Sequence, residues 1–291
     1  MPQIAATAFV DPAATLADDV VVGHHCFVGP DVTLGAGCRL HNNVTITGWT
    51  TAGRANEFFP CCVIGEVPQD LKYRGERTKL VIGDHNLFRE HVTAHPGTEL
   101  GGAVTRIGNR NVFLVGVHIA HDVQLGDNIV ASNMAQIAGH VVIEDRVHLG
   151  GLAGVHPFVT IGRLGFLAGL SRAVRDVPPF TIVAGERGEV RGVNAEGMSR
   201  WGHSEAEVQA MRDAYRKLFG HRRNADGDNL SETIAEMESN GHADPNVRYL
   251  LEFLKRNIAH GRHGRWRESL RSDTDDDRKR YYRPAEGASP S

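Results

Sequence analysis

Small apolar residues recur at every sixth position through most of the first 180 residues of the chain. The first run consists of Val10, Leu16, Val22, Val28, Leu34, Leu40, Ile46, Ala52, Phe58 and Ile64. The pattern restarts at Ile82, Phe88 and Ala94, slips by one position across 96–104, and continues through Ile107, Phe113, Ile119, Leu125, Ala131, Ile137, Ile143, Leu149, Val155, Ile161, Leu167 and Ala173. A period of six fits neither an amphipathic helix nor a strand of alternating polarity. It predicts a mainly β fold, a parallel β-helix in which short strands and turns wind into a prism.

The dimensions of the prism follow from the period. Three sides of six residues give about 18 residues per coil, and coils stack about 4.8 Å apart, as neighbouring strands do in sheets. Glycines often follow the apolar position, as at Gly23 and Gly29, and we expect them to relax the corner backbone. The period does not fix the hand of the coil, and the usual crossover rule would favour the right hand.

Two polar, glycine-rich stretches interrupt the repeat. They span 65–79 (GEVPQDLKYRGERTK) and 96–104 (PGTELGGAV). We interpret both as loops that leave the prism, because loops on a rigid scaffold often carry function. A surface insertion without function is the alternative, since long loops cost little additional free energy.

The repeat stops after residue 177, where helical signals replace it. Ser204 and Glu207 form a capping box that predicts a helix to about residue 220. Asp244 and Pro245 can serve as N-cap and first residue of another helix, and a shorter helix is expected near 230–239.

These signals divide the chain into three parts. We expect a β-helix over 1–180, a small helical C-terminal domain over 181–260, and a tail over 261–291. The tail is charged and irregular in sequence, which predicts that it is mobile.

The 18-residue period brings several histidines to one corner of the prism. The residues at this corner are His121, Asp122, Gly139, His140 and His156, with His118 on the strand just ahead of it. In this register His121 lies over Gly139, and Asp122 lies over His140. An imidazole beside a carboxylate is suited to general base catalysis, because it titrates near neutrality and the carboxylate fixes its tautomer.

Two alternatives to a general base remain open for these histidines. A histidine at the corner of a solenoid is often only a solvated surface residue. Three histidines could also bind zinc, as in carbonic anhydrases with a hexapeptide repeat. The spacing alone does not decide between these possibilities.

Charge and cysteine content narrow the class of protein. The chain has 32 basic and 35 acidic residues, a net charge of −3, which argues against a general nucleic-acid binder. Its four cysteines show no C-x-x-C spacing, as expected in a reducing cytoplasmic compartment. The sequence shows neither a secretory signal nor an apolar run long enough to span a membrane.

Five segments of the sequence resemble the UDP-N-acetylglucosamine acyltransferase family of lipid A biosynthesis. They are GEVPQDLKYRGERTKLVIGD, HIAHDVQLGDN, AGHVVIEDRVHLGG, RDVPPF and GVNAEGMSR. The likeness extends from about residue 5 to 260. It implies a left-handed β-helix and transfer of an (R)-3-hydroxyacyl group from acyl carrier protein to the 3-hydroxyl of UDP-N-acetylglucosamine. It implies no metal, and no cofactor besides the phosphopantetheine of the carrier protein.

The resemblance also implies roles for individual residues. His121 matches the catalytic base, Asp122 the residue that orients it, and the Gly139 N–H the donor to the oxyanion. The positions that match substrate contacts are Gln69, Asp70 and Lys72 in the first loop, the pocket histidines His118, His140 and His156, Gly169 beside the acyl chain, and Asn194, Glu196 and Arg200 at the nucleotide.

The sequence departs from the family pattern at two positions. Trp201 follows Arg200 where the family usually has a second basic residue at the diphosphate. Pro157 stands where a glutamine commonly follows the pocket histidine. Gly169 occupies a position that is associated with acyl-chain length in the family. A glycine there leaves the groove open, which predicts that this protein uses a longer acyl chain.

The resemblance further implies a homotrimer with sites between adjacent subunits. Basic residues of the helical region could meet an acidic carrier protein, namely Arg212, Arg216, Lys217, Arg222 and Arg223. A solvated helix face explains this run of charge equally well. Three other functions stay open: N-acylation of a 3-amino analogue of the sugar nucleotide, a zinc metalloenzyme, and a binding module without catalysis.

Overall fold

The computed structural model describes residues 1–220, 228–239, 244–260 and 263–270. Short strands wind into a left-handed parallel β-helix with three sheets, one on each face of the prism. The first sheet contains Gln3–Ile4, Val21–Val22, Arg39–Leu40, Glu57–Phe58, Leu87–Phe88, Val112–Phe113, Val130–Ala131, His148–Leu149, Phe166–Leu167, Thr181–Ala184 and Glu189–Val193.

The other two faces are built in the same way. The second sheet contains Phe9–Val10, Phe27–Val28, Thr45–Ile46, Val63–Ile64, Thr93–Ala94, His118–Ile119, Gln136–Ile137, Gly154–Val155 and Arg172–Ala173. The third contains Thr15–Leu16, Thr33–Leu34, Trp49–Ala52, Lys79–Ile82, Val104–Ile107, Gln124–Leu125, Val142–Ile143 and Thr160–Ile161.

The register of the strands follows the predicted period. His118 pairs with Gln136 and Gln136 with Gly154, so each coil advances by the expected interval. At the two interruptions the pairing skips further along the chain, from Val63 to Thr93 and from Thr93 to His118. The extra residues therefore leave the coil, as expected for loops; the second loop contains the short 3₁₀ helix Glu99–Gly101.

The interior of the prism is filled by the apolar residues of the six-residue repeat. Phe58, Phe88 and Phe113 are fully buried and lie one above another, with ring centroids 4.8 and 5.0 Å apart. A buried asparagine ladder accompanies them at one corner. Asn86 donates to the Asn56 side chain at 3.0 Å, and its own side-chain oxygen accepts from the Asn111 backbone at 2.9 Å. This ladder satisfies corner amides that have no strand partner.

The corner glycines act differently from the expectation. Neither Gly23 nor Gly29 has a positive φ, and a β-carbon on Gly23 would lie 2.8 Å from the His41 carbonyl of the next coil. These glycines therefore permit close stacking of coils. The left-handed corner conformation is carried largely by other residues, including Asp122, His140 and Phe158, at φ of 62, 62 and 66°.

The chain does not pass directly from the prism into helices. The strands Thr181–Ala184 and Glu189–Val193 form an antiparallel hairpin that extends the first sheet. Among the described residues, four α-helices follow: α1 Ala195–Arg200, α2 Glu205–Phe219, α3 Asp228–Ser239 and α4 Pro245–His260. The predicted capping box of α2 is present, with Ser204 and Glu207 each bonded to the other's backbone. The helices share a second apolar core with Leu164 and Phe180 of the prism.

Part of the predicted tail packs against the prism. The segment 263–270 contains the 3₁₀ helix Trp266–Leu270, and its Arg265 is only 8% exposed. It packs because Arg265 and Trp266 form hydrogen bonds with the last coil. The remainder of the predicted tail, 261–262 and 271–291, lies outside the described residues.

Candidate active site

The predicted histidine corner forms between the second and third sheets. His140 donates its backbone N–H to the His121 carbonyl at 3.1 Å, which fixes one coil against the next. The ring of His140 stacks on Phe158 with centroids 4.5 Å apart and meets the His121 ring edge-on at 5.1 Å. The coil register therefore brings His121, Asp122, Gly139 and His140 together as predicted.

His121 is held by the carboxylate beside it. Its Nδ1 lies 2.8 Å from Oδ2 of Asp122, whose side chain is 1% exposed. Because this carboxylate is an acceptor, the Nδ1–H donates to it and Nε2 carries the lone pair. The imidazole thus presents a basic nitrogen towards the groove.

Asp122 is fixed in turn by the second loop. Its Oδ1 accepts from the Thr98 backbone at 2.8 Å, and its Oδ2 accepts from the Thr98 hydroxyl at 2.6 Å. The Asp122 N–H donates to the Thr105 hydroxyl at 2.8 Å. Burial alone would raise the pKa of Asp122, but hydrogen bonds from His121 and Thr98, with the nearby His140, hold it below its ordinary value.

Gly139 lies directly against the His121 ring. A β-carbon at Gly139 would collide with the imidazole, so only glycine allows this packing. Within the described part of the chain, the Gly139 N–H makes no hydrogen bond. An N–H beside a base is available to an oxyanion that forms next to it.

A groove of about 420 Å³ runs from this corner along the second sheet. It passes across four coils, from His118 and His121 to Arg172 and Val174. Between its ends it is lined mainly by small apolar residues, Ala120, Ile137, Ala138, Gly154, Val155 and Ala173. A narrow apolar channel with a polar group at one end suits a chain-like ligand with a reactive head.

The predicted pocket histidines have different environments. His118 and His156 line the groove, whereas His140 lies behind His121. The His118 Nδ1 lies 2.8 Å from the Thr93 hydroxyl. Burial, with the nearby His95 and His121, lowers the pKa of His118 to about 4, so its ring is neutral at physiological pH. A neutral imidazole there can form hydrogen bonds without competing with His121 for a proton.

The first loop contributes one of its three predicted residues to the groove. Gln69 lines the groove. Asp70 and Lys72 lie next to it in a local turn, in which Asp70 Oδ1 accepts from the Lys72 backbone at 2.9 Å.

His95 is a residue that the sequence analysis missed. It is 5% exposed, and its Nδ1 lies 2.9 and 2.8 Å from the carbonyl oxygens of Glu66 and Val67. It therefore ties the first loop to the prism just ahead of Gln69. No motif marks it, because its partners are backbone atoms 29 and 28 positions away.

Gly169 and Pro157 do not line the groove. Gly169 lies at the corner between the first and second sheets, where a β-carbon would lie 3.3 Å from the Gly151 carbonyl oxygen and 3.7 Å from the Gly151 nitrogen. The Pro157 carbonyl lies 3.0 Å from His156 Nδ1. The structure therefore shows a close approach of the Gly151 backbone at Gly169 and does not place Gly169 on the groove of a single subunit.

The predicted nucleotide residues lie apart from His121, on α1. Asn194 is the N-cap of this helix and accepts from Gly197 N at 3.0 Å, so capping is one role it has. Glu196 and Arg200 form an exposed ion pair at 2.5 Å. Trp201 lies under the Arg146 guanidinium, 4.6 Å from its ring centroid. Within one subunit these residues do not reach the groove.

A group of possible metal ligands coincides with the histidine corner. One ligand atom each from His121, Asp122 and His140 lies within 4.8 Å of the others. Both Asp122 oxygens already accept hydrogen bonds, and His156 is not part of the group. The three-histidine set expected for zinc is therefore not assembled among the described residues.

Known proteins share both the sequence and this architecture. Residues 176–263 match the family model described as UDP N-acetylglucosamine O-acyltransferase, domain 2, and 13–48 match the bacterial transferase hexapeptide model. The acyl-[acyl-carrier-protein]–UDP-N-acetylglucosamine O-acyltransferase of Anaeromyxobacter sp. (strain Fw109-5) is 46% identical over 72% of this chain and 80% of that protein. The chain belongs to the UDP-N-acetylglucosamine O-acyltransferase family.

Solved structures of this acyltransferase family have the same fold. LpxA from Acinetobacter baumannii is 40% identical, with a TM-score of 0.81 over 87% of this chain and 96% of that one. The UDP-N-acetylglucosamine O-acyltransferase of Moraxella catarrhalis RH4 is 37% identical, with a TM-score of 0.78 over 86% and 95% of the two chains. The fold of these acyltransferase structures therefore extends over most of this chain.

Proposed function

We propose that this protein transfers an (R)-3-hydroxyacyl group from acyl carrier protein to the 3-hydroxyl of UDP-N-acetylglucosamine, the first step of lipid A biosynthesis. The membership of the family supports the reaction. The observation that carries the assignment of the site is His121, held by the buried Asp122 against Gly139 at one end of an apolar groove.

The proposed mechanism uses His121 as the base. Its Nε2 takes the proton of the sugar 3-hydroxyl as that oxygen attacks the thioester carbonyl carbon. The negative charge that develops on the carbonyl oxygen is stabilised by the Gly139 N–H. The tetrahedral intermediate then collapses, the C–S bond breaks, and the imidazolium returns the proton to the leaving thiolate. A general base of this kind typically contributes about 10²–10⁴-fold to the rate.

Asp122 has two roles in this scheme. It fixes the tautomer of His121 before the reaction and stabilises the imidazolium during it, as a buried carboxylate does for other catalytic histidines. Its depressed pKa keeps it ionised at neutral pH, so it does not itself take the proton. The apolar groove beyond His121 would hold the acyl chain, with Gln69 and His118 at the reacting end.

We further propose a homotrimer. Asn194, Glu196 and Arg200 lie outside the groove of their own subunit, so a nucleotide site that uses them would need a neighbouring subunit. No helix among the described residues is long and apolar enough to cross a membrane. We propose that transfer takes place in the cytoplasm.

The carrier protein would dock on the helical region. The side chains of Arg212 and Lys217 in α2 are exposed. Arg216 forms an ion pair with Asp213 of the same helix. An acidic carrier would be attracted by these charges. The other two residues predicted for this surface, Arg222 and Arg223, lie outside the described residues.

The test is acyl transfer from 3-hydroxyacyl carrier proteins of several chain lengths to UDP-N-acetylglucosamine. We expect transfer by the unmodified protein and a loss of at least about a hundredfold in His121→Ala. His24→Ala is a matched control, because His24 is also a corner histidine with a hydrogen-bonded ring, here to Thr7, but does not line the groove. It should keep full activity.

The alternatives give different results in the same experiment. If the protein acylated the 3-amino analogue but not UDP-N-acetylglucosamine, the proposed role of His121 as the base would stand, and the proposed acceptor would be wrong. Stoichiometric zinc in protein purified without added metal, together with no transfer, would favour a metalloenzyme. Ligand binding that survives His121→Ala, with no turnover by the unmodified protein, would indicate a binding module.

A further inference from the structure

The far end of the groove is in contact with a segment that lies almost entirely beyond the family-model match. The family-model match ends at residue 263, but the chain continues along the prism to Leu270. We call residues 263–270 the C-terminal strap. It meets the last coil at Val174, Arg175 and Asp176, and Val174 also lines the end of the groove.

Arg265 makes the contact closest to the groove. Its Nη1 donates to the Val174 carbonyl at 2.6 Å. The rest of its guanidinium donates to Oε2 of Glu268, from Nε at 2.9 Å and from Nη2 at 2.5 Å. Both side chains of this ion pair are nearly buried, at 10% and 13% exposed. The planar fork of the arginine is therefore fixed on both sides, which makes its bond to Val174 rigid.

The neighbouring strap residues anchor the same coil. Asp176 donates its backbone N–H to the Gly264 carbonyl at 2.8 Å and accepts from the Trp266 N–H at 3.1 Å. The Trp266 indole donates to the Thr160 hydroxyl at 3.1 Å. On its outer side the indole packs under the Arg256 guanidinium of α4, 4.4 Å from the ring centroid. The strap is thus held between the prism and the last helix.

We propose that the C-terminal strap sets the acyl-chain length that this protein accepts, by fixing through Arg265 the backbone of Val174 at the end of the groove. The proposal rests on the proposed acyl transfer. Among the described residues, the Arg265 side chain is the donor that holds the Val174 carbonyl, whereas the hairpin after the prism contacts this coil at Arg172. Without the Arg265 bond, the end wall could move outward and admit a longer hydrocarbon chain.

The experiment compares the full-length protein with Arg265→Ala across donors that differ by two carbons. We expect the unmodified protein to show one preferred length. In Arg265→Ala, the ratio of kcat/KM for the next longer donor to that for the preferred one should rise about tenfold, the selectivity that two buried methylenes provide. Arg267→Ala is the matched control, since this strap arginine lies near the Trp266 ring rather than on Val174. Its ratio should stay unchanged.

A second variant guards against loss of folding. Arg265→Ala leaves Glu268 nearly buried without its partner, whereas Arg265→Leu combined with Glu268→Leu removes both charges together. The double variant should shift the chain-length preference in the same direction. A uniform loss at all lengths, or an unchanged ratio in both variants, would overturn the proposal and leave the strap with a structural role.

A binding measurement separates the strap from the reaction. Calorimetry with (R)-3-hydroxyacyl pantetheine thioesters needs no sugar nucleotide and no turnover. Affinity should rise with chain length up to the end of the groove, and in Arg265→Ala the rise should continue for one more two-carbon step. If the thioesters bind with this shift but no acyl group is transferred to the sugar, the proposed role of the strap would be supported and the proposed reaction contradicted. Absence of thioester binding would overturn both.

Discussion

The imidazole of His121 lies so close to Gly139 that a β-carbon on the glycine would be 2.5 Å from Cε1 and 2.7 Å from Nε2 of the ring. The two residues belong to consecutive coils, and their stacking follows from the 18-residue register. The close packing places the proposed base beside a backbone N–H that can donate a hydrogen bond to the oxyanion. Base and oxyanion donor are therefore positioned by the same contact.

We expect Gly139→Ala to reduce kcat by about a hundredfold, because the methyl group displaces the imidazole by a large fraction of an ångström. Steady-state kinetics and a thermal unfolding curve should be measured together. Gly151→Ala is the control, since a β-carbon there would meet only the Asn133 carbonyl at 3.6 Å. Wild-type kinetics in Gly139→Ala would show that the position of the His121 ring does not limit the reaction.

The second prediction concerns the support of Asp122 by Thr98. Thr98→Val removes the hydroxyl that donates to Asp122 Oδ2, while Thr98→Ser keeps it. A hydrogen bond to a buried charge stabilises by about 1.5–3 kcal/mol, so the valine variant should lose about that much unfolding free energy at pH 7. Its kcat should fall as well, because the carboxylate that orients His121 is less firmly held.

The pH dependence of this loss has a defined sign. The folded-state pKa of Asp122 is below its ordinary value, so its contribution to stability is present above that ordinary value and disappears as the pH falls through the folded pKa. The stability difference between Thr98→Val and the unmodified protein should therefore shrink on acidification. Denaturant unfolding at several pH values would measure it, and a difference that grew in acid would contradict this account.

The third prediction concerns His118, whose pKa is lowered to about 4 by burial and by the neighbouring His95 and His121. Between pH 6.5 and 4 the unfolded chain binds a proton that the folded protein does not. Stability is therefore lost as the pH falls through this window. The loss should be on the order of 2 kcal/mol, allowing for partial exposure to solvent.

The comparison variant is His118→Asn, which offers its amide in place of Nδ1 to the Thr93 hydroxyl but does not titrate. Its unfolding free energy should fall less between pH 6.5 and 4 than that of the unmodified protein. Parallel pH profiles for the two proteins would show that His118 is not the group responsible.

The parts of this structure that the sequence predicts are those with a short-range or periodic signal. The register that stacks His121 on Gly139 is encoded in the spacing of the apolar residues, since each coil repeats the one before it. The capping box of α2 is equally local, because its two residues, Ser204 and Glu207, are three positions apart in the chain. Both were predicted without knowledge of any contact between distant residues.

The contacts that the sequence did not predict join segments outside the repeat. Thr98 reaches Asp122 from a loop, and Arg265 reaches Val174 across 91 positions of chain. Such contacts depend on where a loop or strap returns to the prism, and no periodicity determines that position. Asn194, Glu196 and Arg200 were likewise matched by motif alone, and in one subunit they lie apart from His121.

The last prediction concerns His95 and the first loop. Its Nδ1 lies within hydrogen-bond distance of two carbonyls, Glu66 O and Val67 O, so this nitrogen must carry the proton and act as the donor. His95→Ala removes the donor and frees the segment that leads to Gln69. We expect KM for UDP-N-acetylglucosamine to rise about tenfold, with a smaller change in kcat, because the role proposed for this loop is to bind substrate and not to transfer a proton. His95→Asn should restore most of the affinity, since its side-chain N–H₂ can occupy the place of Nδ1–H. If asparagine proved no better than alanine while both variants unfolded at the wild-type temperature, the role of His95 in holding the loop would be refuted.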